Sequence, residues 1–330
     1  MVRRLPSNPP VLPGFTFVRA VGSGGFADVF LYEQNLPRRQ VAIKVLLPEV
    51  VNPRVRNMFQ AEAQLMAQLS THPAILTVFE ASISSDGRPY LVTELCPTGL
   101  GDRFRSERIP VAEVLRTGIR VAAALETAHR ANVLHRDIKP GNILLTAYGH
   151  PVLSDFGIAA SLAAGDSSTA VGLSVPWSAP EVIRQETTGT IASEIFSLGA
   201  TVYSLLAGRS PFEVVGKENS PGHLAGRILK GKISPLGRPD VPASLESLLA
   251  ATMSRRTDDR PHSAMEFARQ LQAIESELGL AQTPIDVVGD AWSGGLVGPP
   301  EDRTELSSLL TVPTPWWRRK KTTVDRVSSP

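Results

Sequence analysis

The first hundred residues are dominated by short runs of branched and aromatic side chains, FTFVRAV, DVFLYE, VAIKVL, ILTVFEAS and YLVTEL, separated by Gly, Pro and Asn. Runs of this kind bounded by turn formers predict strands. One segment breaks the pattern. After Pro53, residues 54–70 repeat Met58, Glu62, Leu65, Met66 and Leu69 at spacings of three and four, which predicts an amphipathic helix with Glu62 on its apolar face. Beyond Leu100 the helical period takes over. Pro110 is expected in a first turn, followed by Val114, Leu115, Val121, Ala122, Leu125 and Ala128. Residues 195–206 are apolar nearly all round and predict a buried helix, and residues 261–278 carry Met265, Ala268, Leu271, Ile274 and Leu278 as an amphipathic closing helix. From about residue 280 Pro, Gly, Ser and Thr without periodicity predict a flexible tail. The expected organisation is an extension at 1–14, an α+β domain at 15–278 and a tail at 279–330. Within the domain a small sheet-rich lobe with one helix runs to about residue 95, and a larger, mainly helical lobe runs from about 97 to 278.

Composition narrows the class. Hydrophobic residues at 42% and charged residues at 20% of 330 suit a globular protein able to bury a substantial core. Lys and Arg number 34 against 32 Asp and Glu, so charge implies no nucleic-acid partner. The single cysteine, Cys96, forms no intrachain disulfide and suits a reducing compartment. The opening MVRRLPSNPP lacks the apolar region of a secretory signal. The apolar stretch at 196–207 is far short of the roughly 20 residues that span a bilayer. A cytoplasmic location is expected.

The chemistry concentrates in His135 to Asn142, HRDIKPGN, followed by Ser154-Asp155-Phe156-Gly157. An acid, a lysine two residues on, an amide three further and a second acid downstream are the parts of a magnesium-dependent phosphoryl transfer. One aspartate orients a hydroxyl, while the asparagine and the other aspartate hold metal between phosphates. Upstream, GSGGFADV at 22–29 leaves a strand and allows backbone amides to approach phosphate oxygens. A dinucleotide-binding reading fails on context, because a strand rather than a helix follows and Lys44 stands where an acid is needed. Lys44 shares a strand face with Ala42 amid apolar neighbours, so it needs a partner charge, which Glu62 on the following helix is expected to supply.

The set GSGGFADV, VAIK, HRDIKPGN, DFG and Ala179-Pro180-Glu181, in this order and at these intervals, resembles the eukaryotic-type (Hanks-type) serine/threonine protein kinases, especially their bacterial members. The resemblance covers about 15–278 and implies the two-lobed protein kinase fold, with ATP and Mg2+, or Mn2+ in its place, between the lobes. On matching positions it implies Asp137 as the catalytic acceptor of the hydroxyl proton, Lys139 as charge neutraliser, and Asn142 and Asp155 as metal ligands. Val21, Gly22, Gly24, Gly25, Val29, Ala42, Lys44 and Glu62 would form the nucleotide site, with Glu94 and Cys96 at the hinge and Thr93 as gatekeeper. Arg136 would sense a phosphate on the loop before Ala179, where Ser168, Thr169 and Ser174 are the candidate phosphosites, Ser174 also matching a threonine that holds the substrate-side loop. Glu181 would pair with Arg256 or Arg260, the latter fitting better. Three departures stand out: Ala27 replaces a glycine, Leu173-Ser174 replaces Gly-Thr, and Glu194 replaces an aspartate that anchors the catalytic loop.

The implied activity is transfer of the γ-phosphoryl of Mg-ATP to Ser or Thr of protein substrates, with autophosphorylation. The alternative is a nucleotide-binding pseudokinase or scaffold. In the tail, Trp316, Trp317 and the cations Arg318, Arg319, Lys320 and Lys321 suggest weak contact with an anionic membrane surface, at about 1 kcal/mol per cation, against a plain solvated tail. Thr322 and Thr323 are alternative autophosphorylation sites for a phosphothreonine-reading partner.

Overall fold

Alternation of side chains on a pleated sheet builds the small lobe. The computed structural model describes residues 4–156 and 174–287, the side chain of Glu62 apart. β1 (Phe15–Ser23), β2 (Ala27–Asn35) and β3 (Arg38–Leu46) pair antiparallel in succession. β5 (Pro89–Glu94) lies between β3 and β4 (Val78–Ile83), giving the order β1-β2-β3-β5-β4. Along β3, Val41, Ile43 and Val45 point to one face, where they are buried with Phe30, Tyr32, Tyr90, Val92 and Leu12. Ala42, Lys44 and Leu46 point to the other. α1 (Pro53–Leu69) covers part of that second face, packing Val55 and Phe59 against Ala27, Leu46 and Leu91. The Asn52 side chain accepts the Val55 amide at 2.9 Å and Pro53 occupies the first turn, so the helix starts where the sequence stops it from starting earlier.

The run at 75–82 forms a shorter strand than predicted. Its first residues belong to the other lobe: Leu76 N–H donates to Leu153 O at 3.0 Å, Leu153 N–H donates to Ala74 O at 2.9 Å, and Ile75 is buried in the large core.

That core surrounds α3 (Val111–Arg130), with Pro110 as the residue capping its start, one position ahead of the expected first turn. Val114, Leu115, Val121, Ala122, Leu125 and Ala128 are all buried, each Leu or Val contributing about 1.5–3 kcal/mol. At Gly118 a Cβ would stand 2.8 Å from Leu271 of α8 (Ala264–Glu277) and 3.2 Å from Val202 of α5 (Ile191–Ala207). The three helices meet at a separation that a side chain there would prevent. Buried nearly all round as predicted, α5 starts at a reciprocal cap between Thr190 and Ser193. The short helices α2 (Leu100–Ser106) and α4 (Pro180–Ile183), with α6 (Pro221–Lys230) and α7 (Ala243–Thr252), complete the lobe. A three-stranded sheet of β6 (Thr98–Gly99), β7 (Ile143–Leu145) and β8 (Pro151–Leu153) frames HRDIKPGN and the segment after Leu153.

The chain does not leave the lobe at 279, where the sequence reading starts the tail. Leu280 and Ile285 pack on the core, and the buried Thr283 donates its amide at 2.7 Å and its hydroxyl at 2.6 Å to the buried Glu275 carboxylate. His72 Nε2 meets Asp286 O at 2.5 Å. Composition missed this strap because its partners lie on α8 and after α1, not in the segment itself. Among the described residues no helix is long and apolar enough to cross a membrane. Ser168, Thr169, Thr322, Thr323 and the cluster from Trp316 to Lys321 lie outside the described residues.

Candidate active site

A cavity of about 230 Å³ opens between the lobes. Val21 and Gly22 of β1 and Val29 of β2 form its roof, Ala42 and Lys44 of β3 one wall, and Leu144 of β7 with Gly141 the opposite side. Thr93, Glu94, Leu95 and Cys96 close one end, and Met66, Leu76, Leu91, Ser154, Asp155 and Phe156 the other surfaces. Polarity is distributed unevenly: apolar side chains line most of it, while the charges gather at Lys44 and Asp155. A Cβ at Gly22 would meet no protein atom within 4 Å, so the absence of a side chain there leaves room for a ligand rather than for packing. Gly24 and Gly25 form the tip of the β1–β2 turn, closed by Gly24 N–H donating to Ala27 O at 2.8 Å, and do not line the cavity. The Glu94 amide donates to Thr77 O at 3.0 Å and its carbonyl accepts the Thr93 hydroxyl at 3.2 Å, so backbone polar groups stand at this otherwise apolar end. Burial, with Glu94 adding to it, pushes the Cys96 thiol up to about 12, so it is an inert group at neutral pH.

Lys44 Nζ donates to Asp155 Oδ1 at 2.6 Å. The lysine is carried by β3 between Val29 and Leu91, its cross-strand neighbours, and this register aims it into the cleft. Glu62, the partner expected from sequence, lies on α1, but its side chain is outside the described part. Asp155 keeps 44% of its side-chain exposure because it opens into the cleft. Burial alone would raise its carboxyl, but the Lys44 ammonium overrides this and holds it below the usual carboxylate range.

Asp137 is the centre of the second cluster. Its Oδ2 accepts Lys139 Nζ at 2.6 Å and Asn142 Nδ2 at 3.0 Å, and its Oδ1 accepts the Ser174 hydroxyl at 2.6 Å. Lys139 also donates to Ser174 Oγ at 2.9 Å, and Asn142 to Asp137 O at 2.7 Å. With its amide nitrogen engaged, Asn142 keeps Oδ1, an acceptor oxygen, for a further ligand. The Asn142 carbonyl accepts Ser154 N–H at 2.9 Å and Ser154 Oγ at 3.1 Å, which ties this turn to the segment carrying Asp155.

The loop is held from below by buried groups. His135 is wholly buried; its Nδ1 accepts the Asp137 amide at 3.2 Å, so Nε2 carries the proton donated to Ser154 O at 2.8 Å. Burial lowers its pKa, against the opposing charge of Glu194, and keeps this tautomer neutral. Glu194, 2% exposed on α5, accepts the Arg136 amide at 2.5 Å with Oε1 and the His129 ring at 2.7 Å with Oε2. The longer arm therefore reaches the loop, and its second oxygen takes up α3. Arg136 and Asp155 have φ of 66° and 62°, left-handed conformations that bulky or branched residues rarely adopt and that concentrate at functional sites.

Of the two candidate arginines, Arg260 makes the buried pair, donating to both Glu181 oxygens at 2.7 and 3.0 Å, while Arg256 stays exposed near Asp259. Ser174 is brought onto Asp137 and Lys139, and Arg136 keeps its side chain exposed. Among the apolar lining residues, Leu76, Leu91 and Leu144 have no place in the expected site, while Leu95 and Phe156 enter it only as members of the hinge and DFG segments. The alternation of Ile143 into the core and Leu144 out of it is the one signal that could have found Leu144.

The donor set fits a magnesium nucleotide. Asp155 is ionised and Asn142 offers an amide oxygen, hard ligands that suit Mg2+ together with phosphate oxygens, and the Lys44 ammonium stands beside them.

A family model described as protein kinase domain matches residues 15–271. The chain is 36% identical to the serine/threonine-protein kinase PknK of Mycobacterium tuberculosis over 273 residues, covering 81% of this chain and 24% of that protein. It is 31% identical to PknJ of the same species, over 97% of this chain and 53% of that one, and 31% identical to PknB of Mycolicibacterium smegmatis, over 93% and 50%. The chain thus spans about a quarter to a half of the length of these curated relatives.

Proposed function

The chain belongs to the protein kinase family, among the bacterial Hanks-type serine/threonine kinases, and from that premise we propose that it transfers the γ-phosphoryl of ATP to serine or threonine hydroxyls of proteins. The observation that carries this reading is the Asp137 carboxylate, bonded to Lys139, Asn142 and Ser174, in a loop that the Asn142 carbonyl ties to Ser154, the neighbour of the Asp155 that pairs with Lys44.

Adenine would lie between Ala42 and Leu144, with the Glu94 carbonyl and Cys96 backbone at its edge. Lys44 would bind the phosphates. Asn142 Oδ1 and Asp155 would hold Mg2+, or Mn2+ in its place, which supplies charge neutralisation between phosphates. Asp137 orients the acceptor hydroxyl and takes its proton. A carboxylate has about four lone-pair sites, so the three side-chain bonds it makes leave room for that hydroxyl. Lys139 offsets charge on the transferred group, and Ser174 ties the substrate-side segment to both. Arg136, with its exposed guanidinium, would pair with a phosphate on Ser168 or Thr169. The single cysteine supports a cytoplasmic setting. The scaffold reading loses its main support because Glu194 does bond the catalytic loop.

Incubation with Mg-ATP and mapping of phosphosites tests this reading. Labelled protein is expected, with Asp137→Asn reducing the rate on the order of 100- to 10,000-fold and Lys44→Met abolishing it. Undiminished incorporation in both variants, or stabilisation by Mg-ATP with no transfer in the wild type, would overturn it.

A further inference from the structure

The segment before β1 lies on the outer face of the small sheet. Leu12 is buried there with Phe30 and Tyr32, the Tyr32 hydroxyl donates to Pro10 O at 2.7 Å, and the buried Arg88 donates to Asn8 O at 2.9 Å and Ser7 Oγ at 3.1 Å. The far end of this arm meets the glycine turn. Asp28, wholly buried, points from β2 to the face opposite Val29, which lines the cavity. Its carboxylate accepts the Ser7 amide at 2.7 Å and the Arg4 guanidinium. Arg4 also reaches Gly24 O at 3.4 Å, and Ser23 Oγ donates to Arg4 O at 3.1 Å. Four links thus join the arm to the end of β1, the turn and the start of β2, and the buried Asp28 carboxylate at the base of that turn has its partners on the arm, the Ser7 amide and the partly exposed Arg4 guanidinium.

We propose that Arg4 is a positioning residue for nucleotide binding, clamping the outer side of the glycine turn through Asp28 and Gly24 so that the roof of the cleft is preformed. The proposal rests on the reading of the cleft as an ATP site. Glycine-rich backbone has the most conformational freedom to lose when it closes on a ligand, and an anchor present beforehand lowers that cost. Arg4 touches neither the cavity nor the Asp137 cluster, so its effect falls on affinity and not on the chemical step.

Calorimetric titration of Mg-ATP into Asp137→Asn protein, with and without Arg4→Ala, separates binding from turnover, and steady-state kinetics of the active chain supply KM and kcat. The Arg4 side chain is 44% exposed, so the pair is a modest one and Kd and KM for ATP are expected to rise about two- to fivefold. kcat, KM for the protein acceptor and Tm should stay as in the wild type. Arg4→Lys should restore most of the affinity, and Arg4→Glu, opposing Asp28, should lose more than Arg4→Ala. Equal ATP affinity in wild type, Arg4→Ala and Arg4→Glu overturns the proposal, as does a KM change matched by a fall in kcat and Tm. A parent protein that binds no Mg-ATP overturns the reading of the cleft, and the clamp with it.

Discussion

At the scale of single residues, the function of this chain turns on how a few polar groups are held rather than on which they are. Asp137, Lys139 and Asn142 lie within six residues of one another and would meet in many loop conformations. What fixes their arrangement is beneath them: the His135 ring on the Asp137 amide and the Glu194 carboxylate on the Arg136 amide. Glu194 is one methylene longer than the family's aspartate. Its second oxygen meets His129, which ties α5 to α3 beside the loop. Removing it leaves buried donors without an acceptor. Glu194→Ala should cost about 2–6 kcal/mol, at about 1–3 kcal/mol for each of the two unpaired groups, and slow transfer on the order of 10- to 100-fold through misplacement of Asp137. Denaturant titration and kcat measured on the folded protein check both. Glu194→Gln, which keeps an acceptor for the Arg136 amide, should lie between the two. An alanine variant with wild-type stability and rate would remove Glu194 from the account.

Elements carry the next level of specification. The strand, helix and buried-helix patterns were legible because each element meets its core on one face or on all faces, and period alone reveals that. Boundaries set by distant partners were not legible. Residues 75–77 leave the strand pattern because Leu153 pairs with the Leu76 amide and the Ala74 carbonyl, and residues 279–287 stay folded because Glu275 accepts twice from Thr283. Nothing local in a Pro- and Thr-containing segment reports a carboxylate one helix away. Thr283→Val keeps shape and amide but loses the hydroxyl that donates to Glu275. It should cost about 1–3 kcal/mol, seen as a lower urea midpoint with an unchanged slope. Ending the chain at Leu278 should cost more, since the burial of Leu280 and Ile285 is lost as well. Equal midpoints for the wild type and both variants would show that the strap adds nothing to stability.

For the molecule as a whole, the buried His135 and His72 make stability depend on pH on the acid side. His135 lies under the catalytic loop, and His72 accepts the Ala74 amide on Nδ1 and donates through Nε2 to the strap. Burial lowers the pKa of each from 6.5. Their contribution is fully present above pH 6.5 and falls as the pH drops from there through the lowered folded values, because the unfolded chain takes up protons that the native one refuses. Between the unfolded and the folded pKa the slope approaches at most about 1.4 kcal/mol per pH unit for each histidine. Unfolding free energies measured from pH 7.5 to 5 should show it, and His135→Gln should flatten it by about half; an unchanged slope in that variant would exclude His135. The carboxylates of Asp28 and Asp155, whose pKa values are lowered, act in a separate window below about pH 3.8.

By itself the sequence determined the two-lobed α+β class, the family and the identity of the chemical groups, since these depend on periodicity and on short motifs whose members are close in the chain. Only the tertiary structure decided that Lys44 meets Asp155 across 111 residues, that Ser174 sits on Asp137, that Arg260 rather than Arg256 binds Glu181, and that both ends of the domain fold back as an arm and a strap. Most of these are contacts between polar groups far apart in sequence, where spacing carries no information and the packing of the fold selects the partner.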